Sequence, residues 1–254
     1  DIGKSAIELG DLLQYNQSIK NLENHLLKWR GIAMEEREAL FAEAFPFWKD
    51  LAPQQQSAIL ESSVEIFYPK GTVLHRAEQG CKGILLLCSG QLRTYIVSEE
   101  GREVTLYRVH GGEACVMAAS CLMDAIVFDV LIEAIEDTRA ITVPAAVFSR
   151  VIQDRPEAEL FLYKTASERF SDIMWTMQQI LFMGADRRVA IFLWDEYTRG
   201  GAVIALTHDE IARYIGSARE VVTKVLKYFA QEGIVSLSHG RVTVLDKEKL
   251  RALT

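Results

Sequence analysis

Residues 207–231 constrain this chain most, because two short helical stretches meet there at a single glycine. Thr207-His208-Asp209-Glu210 and Ser217-Ala218-Arg219-Glu220 each set a hydroxyl three residues ahead of a glutamate. That is capping-box spacing, in which hydroxyl and carboxylate each satisfy a backbone N–H at the start of a helix. Ile211, Ala212 and Ile215 give the first stretch an apolar face, and Gly216 supplies the turn. Val221, Val222, Val225, Leu226 and Phe229 form a buried stripe on the second stretch, which runs to about Gln231. Arg219, Glu220, Thr223, Lys224 and Lys227 are left facing outward. Two short helices joined in this way form a helix-turn-helix. Residues 234–237 and 241–245, separated by His239-Gly240, add a β-hairpin.

A helix-turn-helix followed by such a wing presents the N-terminal side chains of its second helix to base edges in the major groove of duplex DNA. Arg219 has the fork to donate to guanine O6 and N7. Glu220 can accept from cytosine N4, and Lys224, one turn on, reaches guanine or phosphate. Each good base contact contributes about 1–3 kcal/mol of discrimination. Glu220 has a second use as the capping-box partner, and Lys227 a simpler one as a solvated charge. Ser217 reads as a cap that also touches phosphate through the helix N-terminus. Thr207, Ala218 and Thr223 complete the candidate contact set.

Upstream, the periodicity changes twice. Residues 1–45 read as helical, with leucines and isoleucines at three- and four-residue steps. From residue 64 to residue 144, short β-branched runs are punctuated by glycine: Val64–Tyr68, 72–74, 83–88, Gln91–Val97, 103–108, 128–133 and Thr138–Val143. This pattern predicts a jelly roll or small barrel. From Pro156, which suits a first helical turn, a long helix is expected to residue 183. Leu160, Tyr163, Phe170, Met174, Met177 and Leu181 follow alternating steps of three and four, interrupted only by Ser167. Such a heptad stripe serves either as a dimer seam or as one face of a helix packed on its own domain. A further helix is expected over residues 187–197.

At 254 residues and 49% hydrophobic composition, the chain has the material for a large core and is not a disordered polymer. Its net charge of −7 is unevenly spread: residues 184–254 carry 11 Lys+Arg against 9 Asp+Glu, while the remainder is acidic. A slightly basic end on an acidic body is consistent with DNA contact at that end. No apolar run is long enough for a membrane span and no signal segment is evident, so a cytoplasmic protein with no membrane partner is expected. Cys81, Cys88, Cys115 and Cys121 lack paired-motif spacing and read as thiols rather than a disulfide framework.

Taken in order, the β-roll, the long helix and the winged helix-turn-helix resemble the CRP/FNR family of bacterial transcription regulators over about residues 47–253. The most specific matches are residues 211–222, the segment Ser89-Gly90-Gln91-Leu92-Arg93, and residues 99–106 followed by Gly112-Glu113. The resemblance implies an α+β chain divided into a helical extension (1–45), a cyclic-nucleotide-binding-like roll (46–150), a dimerisation helix (151–183) and a DNA-binding domain (184–254). It implies a homodimer on a near-palindromic site with half-sites roughly 34 Å apart, and RNA polymerase as a partner. Arg219, Glu220 and Lys224 fall at the family's base-contacting positions. Lys224 replaces the commoner arginine there and loses its bidentate fork.

The input is less familiar. Cyclic-AMP-binding members hold the ribose with a glutamate and the phosphate with an Arg-Ser pair, where this chain has Met117 and Phe128-Asp129. A phosphate beside Asp129 without a fixed cation is poorly matched, so cyclic AMP is not the expected ligand. Iron–sulfur members use N-terminal cysteines, and none precedes Cys81. Three uses remain open for the region around Cys115, Met117, Cys121, Met123 and Phe128: a redox or metal-sensing thiol pair, an apolar small-molecule pocket, or plain core packing. His75 and His110 are more readily explained as surface histidines than as ligands. A roll protein without DNA activity is a rival function. A cupin-like metalloenzyme is another, but it would need histidines clustered on adjacent strands, and these two are far apart. No catalytic or metal site is expected.

Overall fold

The computed structural model describes residues 33–75, 83–116 and 130–254. Residues 40–254 form one compact unit. The helix α1 (Met34–Ala44) leads into a 3₁₀ turn at Trp48–Asp50 and then α2 (Pro53–Ser62). Among the described residues eight strands follow: β1 (Val64–Tyr68), β2 (Val73–His75), β3 (Ile84–Ser89), β4 (Gln91–Val97), β5 (Glu103–His110), β6 (Ala114–Cys115), β7 (Leu131–Ala134) and β8 (Thr138–Val143). They make two antiparallel four-stranded sheets in the orders β1-β8-β3-β6 and β2-β7-β4-β5. This is the expected roll.

Leu85, Leu87, Leu92, Leu106, Val109 and Ile132 fill the interior between the sheets. Ile84 and Leu86 are just as buried as their neighbours, so both faces of β3 are covered. An unbroken apolar run is what such a strand requires. Beside the roll, Phe45, Phe47, Phe148 and Phe161 pack with centroids 5.4–6.0 Å apart. These rings tie the end of α1 to α3 (Ala145–Asp154) and α4 (Pro156–Phe182).

The structure departs from the sequence pattern in its shortest elements and at the end of β5. The short helices α2 and α3 interrupt regions without a strong helical pattern. In α2 the first residue is Pro53, and the Gln55 carboxamide accepts from Ala52 N–H at 3.0 Å; no hydroxyl cap advertised it. The two-residue β6 is too short to carry a period. β5 runs two residues beyond the expected end, to His110, where His110 N–H donates to the Glu113 carboxylate at 3.1 Å. The expected strand over 128–133 begins among residues outside the described set, and its described part is β7.

After α4 come α5 (Ala185–Gly200), β9 (Val203–Ile204), α6 (His208–Ile215), α7 (Arg219–Gln231), β10 (Val235–Ser238), β11 (Arg241–Val244) and α8 (Lys247–Ala252). The last three strands form a sheet in the order β10-β11-β9. Among the described residues, no helix is long and apolar enough to cross a membrane.

Candidate nucleic-acid interface

The first capping box forms as expected. Glu210 N–H donates to Thr207 Oγ1 at 3.2 Å, and Thr207 N–H donates to Glu210 Oε2 at 2.8 Å. Burial alone would raise the Glu210 carboxyl, but the two bonds from Thr207, with Lys70 and Arg213 nearby, hold it below its ordinary value. At its other end α6 stops at Gly216, which adopts φ +61° and ψ +46°. Ser217 N–H then reaches back to Ala212 O at 2.9 Å, the six-to-one bond of a Schellman motif.

That closure changes the second cap. Ser217 is engaged in ending α6, and the N-cap of α7 is Ala218, which has no side-chain oxygen. The expected Ser217–Glu220 capping box therefore does not form. The N-terminal N–H groups of α7 are left without a side-chain cap, and Glu220 is left exposed. Val222, Leu226 and Phe229 are buried against Ile211, Ala212, Ile215, Val189 and Leu193, with Val225 partly covered. Val221, expected in that stripe, is exposed instead, because it lies at the edge of the arc that meets α6. Arg219, Lys224 and Lys227 are exposed alongside Glu220, and so is Ala218. Thr223 is half-buried, its hydroxyl 3.0 Å from His208 Nδ1. His208, the first residue of α6, is placed beside α7 by this contact, and no local pattern in the sequence announces it. The wing is β10 paired with β11, from Val235 opposite Val244 to Ser238 opposite Arg241, and Gly240 has φ +64° in the turn.

The turn before α7 is held from outside. Arg102 of the roll donates to Gly216 O, Thr105 Oγ1 donates to Arg213 O at 3.2 Å, and Arg188 of α5 donates to Ile215 O at 2.8 Å. These are the carbonyls that the end of a helix leaves without internal partners. Beneath them Arg93 and Arg108 sit directly opposite on β4 and β5, an arrangement that normally repels. Each arginine has its own carboxylate. Arg93 bonds Glu103 at 2.6 Å, with Glu133 at 3.5 Å, and Arg108 pairs with Glu196 of α5. Both guanidiniums also face the Tyr214 ring, at 5.8 and 5.0 Å, and Tyr214 stacks on Phe192 at 5.2 Å. The reading module is thereby docked on the β4–β5 hairpin.

On α4, Ala158 and Leu162 are buried, and Ile173 packs toward the roll core. Leu160, Tyr163, Phe170, Met174, Met177 and Leu181 point elsewhere and are 45–66% exposed. Of the candidate effector residues, Cys115 is buried in β6; Met117, Cys121, Met123 and Phe128 lie outside the described residues.

The chain matches the crystal structure of a CRP/FNR-family protein from Eubacterium rectale at 42% identity, over 82% of this chain and 97% of that one, with a TM-score of 0.78. This chain belongs to the CRP/FNR family. Within it, the family models for a Crp-like helix-turn-helix domain and a cyclic nucleotide-binding domain match residues 187–253 and 65–155. The cyclic AMP receptor protein of Thermus thermophilus is 26% identical over 82% of this chain and 96% of its own. The transcriptional activator protein anr of Pseudomonas aeruginosa is 27% identical over 72% of this chain and 78% of its own. The chain is thus a CRP/FNR-type transcription regulator, with a DNA-binding helix-turn-helix behind a nucleotide-binding-type roll.

Proposed function

We propose that this regulator works as a homodimer that reads a near-palindromic DNA site, under control of a signal received in the roll. Arg219, Glu220 and Lys224 are its base readers, and Thr207, Ser217, Ala218, Thr223 and Lys227 line the phosphate backbone. The observation that carries this reading is the division of α7: one side is buried in the module's core, while the other offers Arg219 and Glu220 at an N-terminus without a side-chain cap, and Lys224 and Lys227 further along. An open helix N-terminus favours phosphate, and side chains beside it reach base edges. RNA polymerase as a partner, a cytoplasmic location and the absence of catalysis belong to the same reading.

Selection of bound genomic fragments should return an inverted repeat. Unchanged base preference in Glu220→Ala would remove Glu220 as a reader. The dimer rests on the exposed stripe of α4, a period that suits a two-helix seam. The signal is read as a ligand or thiol event near Cys115 rather than as cyclic AMP, on the sequence at positions 117 and 128–129. Titration with cyclic AMP should leave DNA affinity unchanged.

A further inference from the structure

His208 and Thr223 meet across the helix-turn-helix, with imidazole Nδ1 3.0 Å from the threonine hydroxyl. Thr223 lies four residues from both Arg219 and Lys227, one helical turn either way on the outward face of α7. The ring is thus fixed against the face assigned to DNA, with one nitrogen taken and Nε2 left for another partner. Partial burial, then Arg219, then Lys227 push the His208 imidazole below its ordinary value of 6.5. On its own helix, Asp209 is exposed and the Glu210 carboxylate is engaged by Thr207. From the wing, His239 and Arg241 flank Gly240, where an added Cβ would stand 3.9 Å from the Thr207 methyl.

We infer that His208 is a protonation-dependent phosphate ligand, held in place by Thr223 and charged more readily when the DNA backbone settles against it. The proposal deepens the DNA-reading function and rests on it. In the free protein two cations and partial burial disfavour a third positive charge at this corner. A phosphate drawn in by Arg219 and Lys227 reverses that balance. The imidazole takes a proton from solvent, its Nδ1–H donates to Thr223 Oγ1, and its Nε2–H donates to the phosphate. A group that charges more readily in the complex than in the free protein links binding to proton uptake. Affinity therefore rises as pH falls from the bound state's value toward the free state's, and levels off below it.

The test uses the full chain and a duplex carrying the repeat recovered by genomic selection, titrated between about pH 8 and pH 6 at fixed ionic strength. A one-unit difference between bound and free states gives about a tenfold gain per protomer. His208→Gln, which donates but does not titrate, should be flat at the weak, high-pH level. His208→Lys, permanently charged, should be flat at the tight level, and His239→Gln should retain the wild-type slope. Near pH 6 the logarithmic salt dependence should steepen by about one per protomer over that of His208→Gln. A pH slope that survives in His208→Gln, or is lost in His239→Gln, overturns the inference, as does a flat wild-type titration. Absence of duplex binding at every pH overturns the DNA-reading proposal instead.

Discussion

The glycine between α6 and α7 does two jobs. Gly216 takes the left-handed conformation that ends α6, and it also lets the roll and α4 come close. An added Cβ would sit 3.2 Å from Val104 Cγ2 and 3.3 Å from Ile180 Cδ1. Gly216→Ala is therefore expected to lower stability by about 1–3 kcal/mol, read from denaturant unfolding. Thr207→Ala removes the cap of α6 and should cost about 1 kcal/mol. Glu210 titrates below its ordinary value, so its contribution is present at neutral pH and is lost as pH falls through the lowered value. The difference between Thr207→Ala and wild type should shrink on acidification below about pH 4. Arg219→Ala should reduce affinity for the selected repeat by about 1–3 kcal/mol per half-site with no change in unfolding midpoint, since the side chain is exposed.

At the scale of elements, α4 is amphipathic in two directions. One side keeps Ala158 and Leu162 against its own domain, and another leaves a ladder of large apolar side chains uncovered. Water contact along such a ladder is unfavourable by about 25 cal/mol per Å² of apolar surface. A second copy of the helix would relieve this and keep the seven-residue repeat in register. Phe170→Glu is expected to convert dimer to monomer in sedimentation and to abolish tight binding to the full repeat. A single half-site would still be bound weakly. If Phe170→Glu sediments like wild type, the seam is elsewhere. The three-and-four spacing was legible in the sequence, because a helix repeats its faces with that period. The short elements α2, α3 and β6 were not, because fewer than three turns or a few strand residues carry too little pattern to stand out.

At the scale of the molecule, the reading module and the roll are joined by charge as well as by packing. Arg93 is 2% exposed, and it bonds two glutamates and a threonine while lying over Tyr95. Arg93→Ala would leave Glu103 and Glu133 without their shared cation. A loss of about 3 kcal/mol is expected, at the low end for a broken buried pair because both carboxylates keep some contact with water. Removing Arg102 and Thr105 together, as Arg102→Ala/Thr105→Val, frees carbonyls of Arg213 and Gly216 while leaving the module's own core intact. Hydrogen exchange should then rise first at the α6–α7 turn rather than throughout 187–253.

What the sequence determined by itself was the set of elements whose patterns are local: the roll's longer strands, the long helix, the first capping box, the glycine turn and the wing. It also separated the outward residues of α7 from the inward ones, except at Val221 and Thr223, which sit at the margins of the arc. Tertiary structure decided the rest. Ser217 ends α6 through its backbone N–H, and α7 begins one residue late for a serine cap, with Ala218 at its N-cap. His208 joins the outward face only because α6 and α7 cross where Thr223 can reach its ring. Arg93 and Arg102 belong to the reading module's support only because β4 and β5 lie against the turn. A local pattern records which side of an element is apolar. It does not record which partner, more than a hundred residues away, comes to meet the polar side.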